Sequence, residues 1–261
     1  LQQIPARNKD LGPKIRSLFI PEEGCKWGCF DYNQQEPRLV VHHASLYKLP
    51  SVYEVVDSYK KDNNADFHQT VADMAEIPRL QAKTINLGLF YGMGKAKLQA
   101  QLGVSKEKAE ELLEKYHTEV PFVKQLLTGV MRRAQDCGYI RTLLGRRCRF
   151  PLWEPRQFGI HQALSHDAAL TEHGPGIKRA YTYISSNKLI QGSAADMTKK
   201  AMVDLHKEGI IPHRQVHDEL DISVKDDKEA KQIVQIMEAT VDLEVPNKVD
   251  YESGYNWGDI H

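Results

Sequence analysis

Strand-like sequence is confined to the two ends of this chain, and a long helical stretch separates them. Residues 26–31 (KWGCFD) read as a short strand, 213–224 (HRQVHDELDISV) as two strands joined at His217-Asp218, and 248–252 as a last strand. A lone strand is not stable in water, so segments from opposite ends of the chain must close one sheet, with the helices looped out between them. That pattern predicts an α+β fold. It also sets where two carboxylates fall: Asp31 ends the first strand, and Asp218, followed by Glu219, sits at the hairpin tip 187 positions later. Acids on neighbouring strand ends suit a pair of divalent cations in phosphoryl transfer, whereas an Asp at a turn more often satisfies backbone N–H groups. The pair alone leaves both readings open.

Between the strands, a helix is expected from Pro37, a residue tolerated at the first helical position because its missing N–H has no partner there. Residues 65–116 have a helical pattern broken at Gly88, Gly92, Gly94 and Gly103, and 119–136 form an amphipathic helix. Residues 138–150 read as a hairpin turning at Gly145. The Pro-, Gly- and His-rich stretch 151–176 has no period and reads as a long loop or insertion. Helices are expected again over 177–208 and 227–243.

Composition excludes several classes. A charged fraction of 27% with 41% hydrophobic residues spread along 261 positions argues against disorder. No apolar run approaches the roughly 20 residues of a membrane span, so no membrane partner is expected. Cys25, Cys29, Cys137 and Cys148 form no CxxC pair and read as reduced thiols, which fits a cytoplasmic setting. The chain begins with Leu1 and shows no leader, as expected of an excerpt from something longer. The zero net charge hides a polar arrangement. Residues 79–108 carry six basic residues against one acidic, 124–149 seven against one, and 201–261 six against fourteen. A basic middle and an acidic end point to one face for a polyanion.

Arg79, Lys83, Leu87 and Tyr91 recur every four residues, hence on one helix face. Two cations on consecutive turns can clamp a triphosphate above an apolar surface for a base, although an ordinary amphipathic helix would show the same spacing. Gly88 and Gly92 in that helix cost stability unless something must approach closely. A phosphate loop at Gly92-Met-Gly-Lys95 fails on spacing, and Ala96 stands where Ser or Thr is required.

With these residues in view, DYNQQEPR (31–38), RLQAKTINLGLFYGMG (79–94) and QVHDEL (215–220) resemble, in order, motifs A, B and C of family A DNA polymerases, the DNA polymerase I type. LQQIPAR (1–7), GRR (145–147) and QGSAAD (191–196) fall in the same order, so the resemblance covers nearly the whole chain apart from about 152–176. It implies a palm, a small antiparallel sheet with flanking helices, built from 1–45 and 187–261, and mostly helical fingers over 46–186. The implied reaction is template-directed addition of deoxynucleotides to a primer 3′-OH by two-metal-ion phosphoryl transfer with release of pyrophosphate. Asp31 and Asp218 would hold two Mg²⁺ ions, with Mn²⁺ able to substitute, helped by the Tyr32 carbonyl and with Glu219 close by as a further catalytic carboxylate. Arg79, Lys83 and His68 would bind the triphosphate, and Lys83 would also protonate the leaving pyrophosphate. Leu87, Tyr91, Gln34 and Glu36 would surround the incoming nucleotide, Glu36 as the gate that crowds a ribose 2′-OH. Arg7, Asn187, Gln191 and His217 would contact the primer–template end, where minor-groove acceptors test pair shape. The implied partners are primer–template DNA and dNTPs in a bacterial or phage-infected cell, with the chain a monomer open to a processivity partner.

Several positions depart from the family pattern. Leu87 stands where Phe or Tyr is usual, which is expected to alter handling of 3′-deoxy analogues; Gln35 replaces an apolar residue, Pro37 a Leu, and Tyr183 an Arg. The extra residues near 152–176 suggest a bacteriophage lineage. The thumb and 3′–5′ exonuclease precede the palm in this family and fall outside the chain, so a weak grip on duplex DNA is expected. Two alternatives are a relative using ribonucleotides or an RNA template, and a catalytically weak or inactive polymerase-fold fragment serving as a DNA-binding or assembly module. Glu36 argues against ribonucleotides, and the presence of Asp31, Asp218 and Glu219 together argues against the inactive fragment.

Overall fold

The computed structural model describes residues 8, 10–90, 95–157, 159 and 161–260. In chain order the elements are α1 (Leu11–Arg16), β1 (Lys26–Tyr32), α2 (Gln35–Leu46), α3 (Val52–Lys61), α4 (Phe67–Ala75), α5 (Arg79–Phe90), α6 (Lys95–Leu102), α7 (Lys106–Glu119) and α8 (Pro121–Cys137). There follow β2 (Tyr139–Arg141), β3 (Arg147–Arg149), β4 (Trp153–Pro155), α9 (His166–His173), β5 (Ile177–Arg179), α10 (Ser185–Lys207), β6 (Arg214–Val216), β7 (Glu219–Val224), α11 (Asp227–Glu238) and β8 (Val249–Gly254). The chain divides into two compact units, Leu1–Arg38 with Ala194–His261, and Leu39–Ser193.

The first unit is organised by an antiparallel sheet in the order β6-β7-β1-β8. Directly opposed residues share a face, and side chains alternate along each strand. The register sets Phe30 opposite Leu220 and Tyr251, Gly28 opposite Ile222, and Tyr32 opposite Val249, so one face is apolar. Helix α11 covers it with Ala230, Ile233 and Met237. The Phe30 ring stacks on Tyr251 at 4.8 Å, and the Tyr32 hydroxyl donates to the Met237 carbonyl at 2.7 Å. Burying each large side chain here is worth roughly 2 kcal/mol. The close fit explains Gly28: a Cβ at that position would lie 2.7 Å from Val224 Cγ2.

The opposite face is unlike the first. Trp27 and Cys29 pack with Trp257, Ile260 and Phe19 at one end, and from Cys29 onward the face is acidic. Arg38 joins two loops of this unit: its buried guanidinium donates to the Asn33 carbonyl at 2.8 Å and to the Pro246 carbonyl at 2.5 Å.

In the second unit, Asp66 caps α4 by accepting from the backbone N–H groups of His68 and Gln69, and Ser105 caps α7. Pro121 opens α8, which closes at Gly138 with φ +75°. Strands β2 and β3 form the hairpin expected around Gly145.

The structure corrects several boundaries. Helix α2 starts at Gln35, so Pro37 is its third residue, still within the first turn whose N–H groups lack intrahelical partners. The stretch 151–176 is not a continuous loop: it holds β4, which pairs with β5, and α9 lies between them. Consequently the helix expected from 177 begins at Ser185, after β5 and a short 3-10 turn. Helix α11 ends at Glu238, and α1 and α3 form where the local pattern predicts no helix. No helix among the described residues is long and apolar enough to cross a membrane.

Candidate active site

The acidic face of the sheet is electrostatically costly by construction. Asp31 on β1 lies opposite Glu219 on β7 and opposite Asp250 on β8, and Cys29 lies opposite Asp221 and Glu252. Like charges directly opposed on a sheet are destabilising. Burial and the neighbouring Asp218, Glu219, Asp250 and Glu252 push the Asp31 carboxyl up to about 7. Asp218, at the hairpin tip after His217 with φ +53°, is also raised, by burial, with the His217 imidazole opposing the shift. The Tyr32 backbone N–H donates to the Asp218 carbonyl at 3.4 Å, joining the two strand ends.

The acids on this face sort by their partners. Asp250 is held by Lys248 at 2.7 Å and by the Asn33 amide at 2.6 Å. Glu219 accepts from Arg214 Nη2 at 2.6 Å, and Asp221 accepts from Arg214 Nε. No lysine or arginine is bonded to Asp31 or Asp218 among the described residues. That leaves two carboxylates without an internal cation. An all-oxygen donor set of this kind fits a hard divalent ion such as Mg²⁺, which would offset the repulsion that raises Asp31.

A second cluster, Cys29, Glu219 and Asp221, also brings ligand atoms within 4.8 Å of one another. Its cation is already present as Arg214, whose side chain is 2% exposed. The Cys29 thiol donates to Asp221 Oδ1 at 2.7 Å, and burial beside that carboxylate drives its pKa far up, so it remains a donor. The Trp27 indole N–H donates to the same oxygen at 3.3 Å. This cluster is a buried ion-pair network that sequence reading missed.

In the second unit, α5 carries Arg79, Lys83 and Leu87 on successive turns. Arg79 is paired with Asp66, the α4 cap, and that pairing helps hold Asp66 below the usual carboxylate range. Lys83 is exposed and makes no ion pair among the described residues. His68 is buried on α4, and its Nδ1 accepts from the Asn86 amide at 2.9 Å, which leaves any ring proton on Nε2. Asn86 in turn accepts from the Tyr116 hydroxyl at 2.5 Å. Burial lowers the His68 pKa.

Of the other expected residues, Gln34 has φ +51° and its amide donates to Asn33 at 3.1 Å, while Glu36 lies in the first turn of α2. Gln35, the departure beside it, is buried and donates to Thr198 at 3.2 Å, which accounts for a polar residue there. Asn187 and Gln191 lie one turn apart on α10. Arg7 and Tyr91 fall outside the described residues.

Against known proteins, the profile of DNA polymerase family A matches residues 1–259. The chain belongs to DNA polymerase family A. Within the family it is 38% identical to a DNA-directed DNA polymerase of Pseudomonas phage M6, over 99% of this chain and 42% of the relative. It is 35% identical to DNA polymerase I of Geobacillus stearothermophilus, over 99% of this chain and 29% of that protein. Among solved structures it is similar to the POL domain of Pol1 from M. smegmatis, determined with DNA primer–template and dNTP, with a TM-score of 0.77, 27% identity, and coverage of 99% of this chain and 44% of that one. This family A chain therefore spans less than half the length of these relatives.

Proposed function

We propose that this chain carries out template-directed DNA synthesis, adding deoxynucleotides to a primer 3′-OH with release of pyrophosphate, at Asp31 and Asp218. The observation that carries the reading is the sorting of the acidic sheet face: among the described residues Glu219, Asp221 and Asp250 have internal cations, and Asp31 and Asp218 have none. When bound, two divalent cations would activate the primer hydroxyl and take up charge on the transferring phosphoryl group.

The chain's own residues supply position and charge. Asp31 and Asp218 hold the cations, with the Tyr32 carbonyl as a neutral ligand. Arg79 exchanges Asp66 for the triphosphate, a swap between acceptors that both suit its planar fork. Lys83 binds the same phosphates and gives its proton to the departing pyrophosphate. His68, with Nδ1 taken by Asn86, presents Nε2–H as a donor to a phosphate oxygen. Glu36 crowds the 2′ position and favours deoxynucleotides. The reading is supported by relatives named as DNA polymerases and by the DNA and dNTP of the M. smegmatis complex.

Substituting Asp218→Asn tests it. Primer extension with Mg²⁺ and dNTPs should fall at least a thousandfold, while binding of a fluorescent primer–template changes less than threefold. Normal extension by the variant would overturn the assignment.

A further inference from the structure

Arg214 has no place in the proposed reaction, yet its side chain is 2% exposed and paired with two carboxylates. One guanidinium fork reaches two acids of the sheet, Nη2 to Glu219 at 2.6 Å and Nε to Asp221. Its Cζ lies 3.2 Å from the centroid of the Trp257 ring, and Nη1 has no hydrogen-bond acceptor among the described residues. A cation over an indole face is attracted by the ring quadrupole. Trp257 is itself fixed: Phe19 packs edge-on at 5.5 Å, and Arg16 from α1 lies 4.6 Å from its centroid. The short 3-10 turn Trp257–Asp259 that carries the ring packs on α1. On the far side, Asp221 is held by the Trp27 N–H and the Cys29 thiol. Arg214 is therefore locked from three directions.

A fold that needed only to fill this space could do so with apolar side chains, often without loss of stability. What the ion pair adds is a rule about charge. Glu219 lies across from Asp31 and immediately follows Asp218, so an unpaired Glu219 would be a third free carboxylate at the cation site. Bound to Arg214, it is neutralised and held in place.

We propose that Arg214 is a positioning residue of the cation site: by sequestering Glu219 it restricts the freely available carboxylates to Asp31 and Asp218. This rests on the polymerase reading for its biological meaning, but not for its test. Without Arg214, Glu219 should enlist in cation binding, giving a tighter and wrongly arranged site.

The test is Mn²⁺ affinity of the full chain without DNA, read by electron paramagnetic resonance, in Arg214→Gln/Asp221→Asn. That pair removes one charge of each sign and keeps hydrogen-bonding groups for Trp27, Cys29 and Glu219. Mn²⁺ should bind about tenfold tighter than to the unaltered protein, and the gain should vanish when Glu219→Gln is added. In parallel, primer extension should lose at least fivefold in kcat with the dNTP KM changed less than twofold. Should the double variant fail to fold, Arg214→Lys, which keeps the charge but loses the fork, should show the same shift at about threefold. Unchanged Mn²⁺ affinity, or a gain that persists with Glu219→Gln, would overturn the proposal. A chain that follows the Mn²⁺ cycle but extends no primer would count against the polymerase reading alone.

Discussion

At the residue scale, Asp31 shows how a carboxyl group is held at the expense of the fold. Its folded pKa near 7 lies above the reference value of 3.8, so the folded state keeps the proton longer than the unfolded one. Stability contributed at this position is therefore greatest in acid and declines as pH rises from about 4 through 7. Asp31→Asn should stabilise the cation-free protein at pH 8 by about 2 kcal/mol, discounting the full linkage value for screening. The same substitution should abolish stabilisation by Mg²⁺. Urea unfolding with and without the cation reads both effects, and a destabilised variant would contradict the account. His43 behaves in the opposite sense. It is 8% exposed, lies 3.3 Å from Ser193 Oγ, and burial together with His42 lowers its pKa from 6.5 to about 4. The unfolded chain takes up a proton below pH 6.5 and the folded protein does not until about 4. About 3 kcal/mol of stability should thus be lost on acidification across that window. In His43→Gln the difference in unfolding free energy between pH 7.5 and 4.5 should shrink by roughly that amount.

At the scale of elements, the sheet is where sequence and structure meet most closely. Strand β1, the β6–β7 hairpin and β8 are all legible from alternation and turn residues. A turn at His217-Asp218 also fixes the hairpin register, which places Arg214 opposite Asp221 and Val216 opposite Glu219. The ion-pair network was thus partly encoded in a short string. What that string could not show was the third strand: only the pairing of β1 with both β7 and β8 puts Asp31 between Glu219 and Asp250, and Cys29 beside Asp221. Long-range register is absent from local periodicity. For the same reason β4, α9 and β5 were hidden, since three-residue strands and a helix of eight carry too little pattern. The sheet's tight apolar face makes its own prediction. Gly28→Ala sets a methyl 2.7 Å from Val224 Cγ2 and should cost about 2 kcal/mol, measurable as a lower Tm. Combining it with Val224→Ala should recover part of the loss.

At the scale of the molecule, the zero net charge is a sum of unlike parts. The acid-rich end supplies the sheet that bears Asp31 and Asp218, while the basic stretches 79–108 and 124–149 lie in the other unit. The motifs were legible because they are contiguous strings, and the family follows from them. The partners that tune those motifs, Asp66 on Arg79 and Asn86 on His68, were not, because each is a contact between elements. The central claim is that Asp31 and Asp218 serve DNA synthesis directed by a template. It is tested most directly by single-nucleotide incorporation on four primer–templates that differ only in the first unpaired template base. Each template should direct its complementary dNTP at least a hundredfold over the others, EDTA should stop the reaction, and Asp31→Asn should be silent. Incorporation indifferent to the template base, or undiminished in Asp31→Asn, would contradict the account.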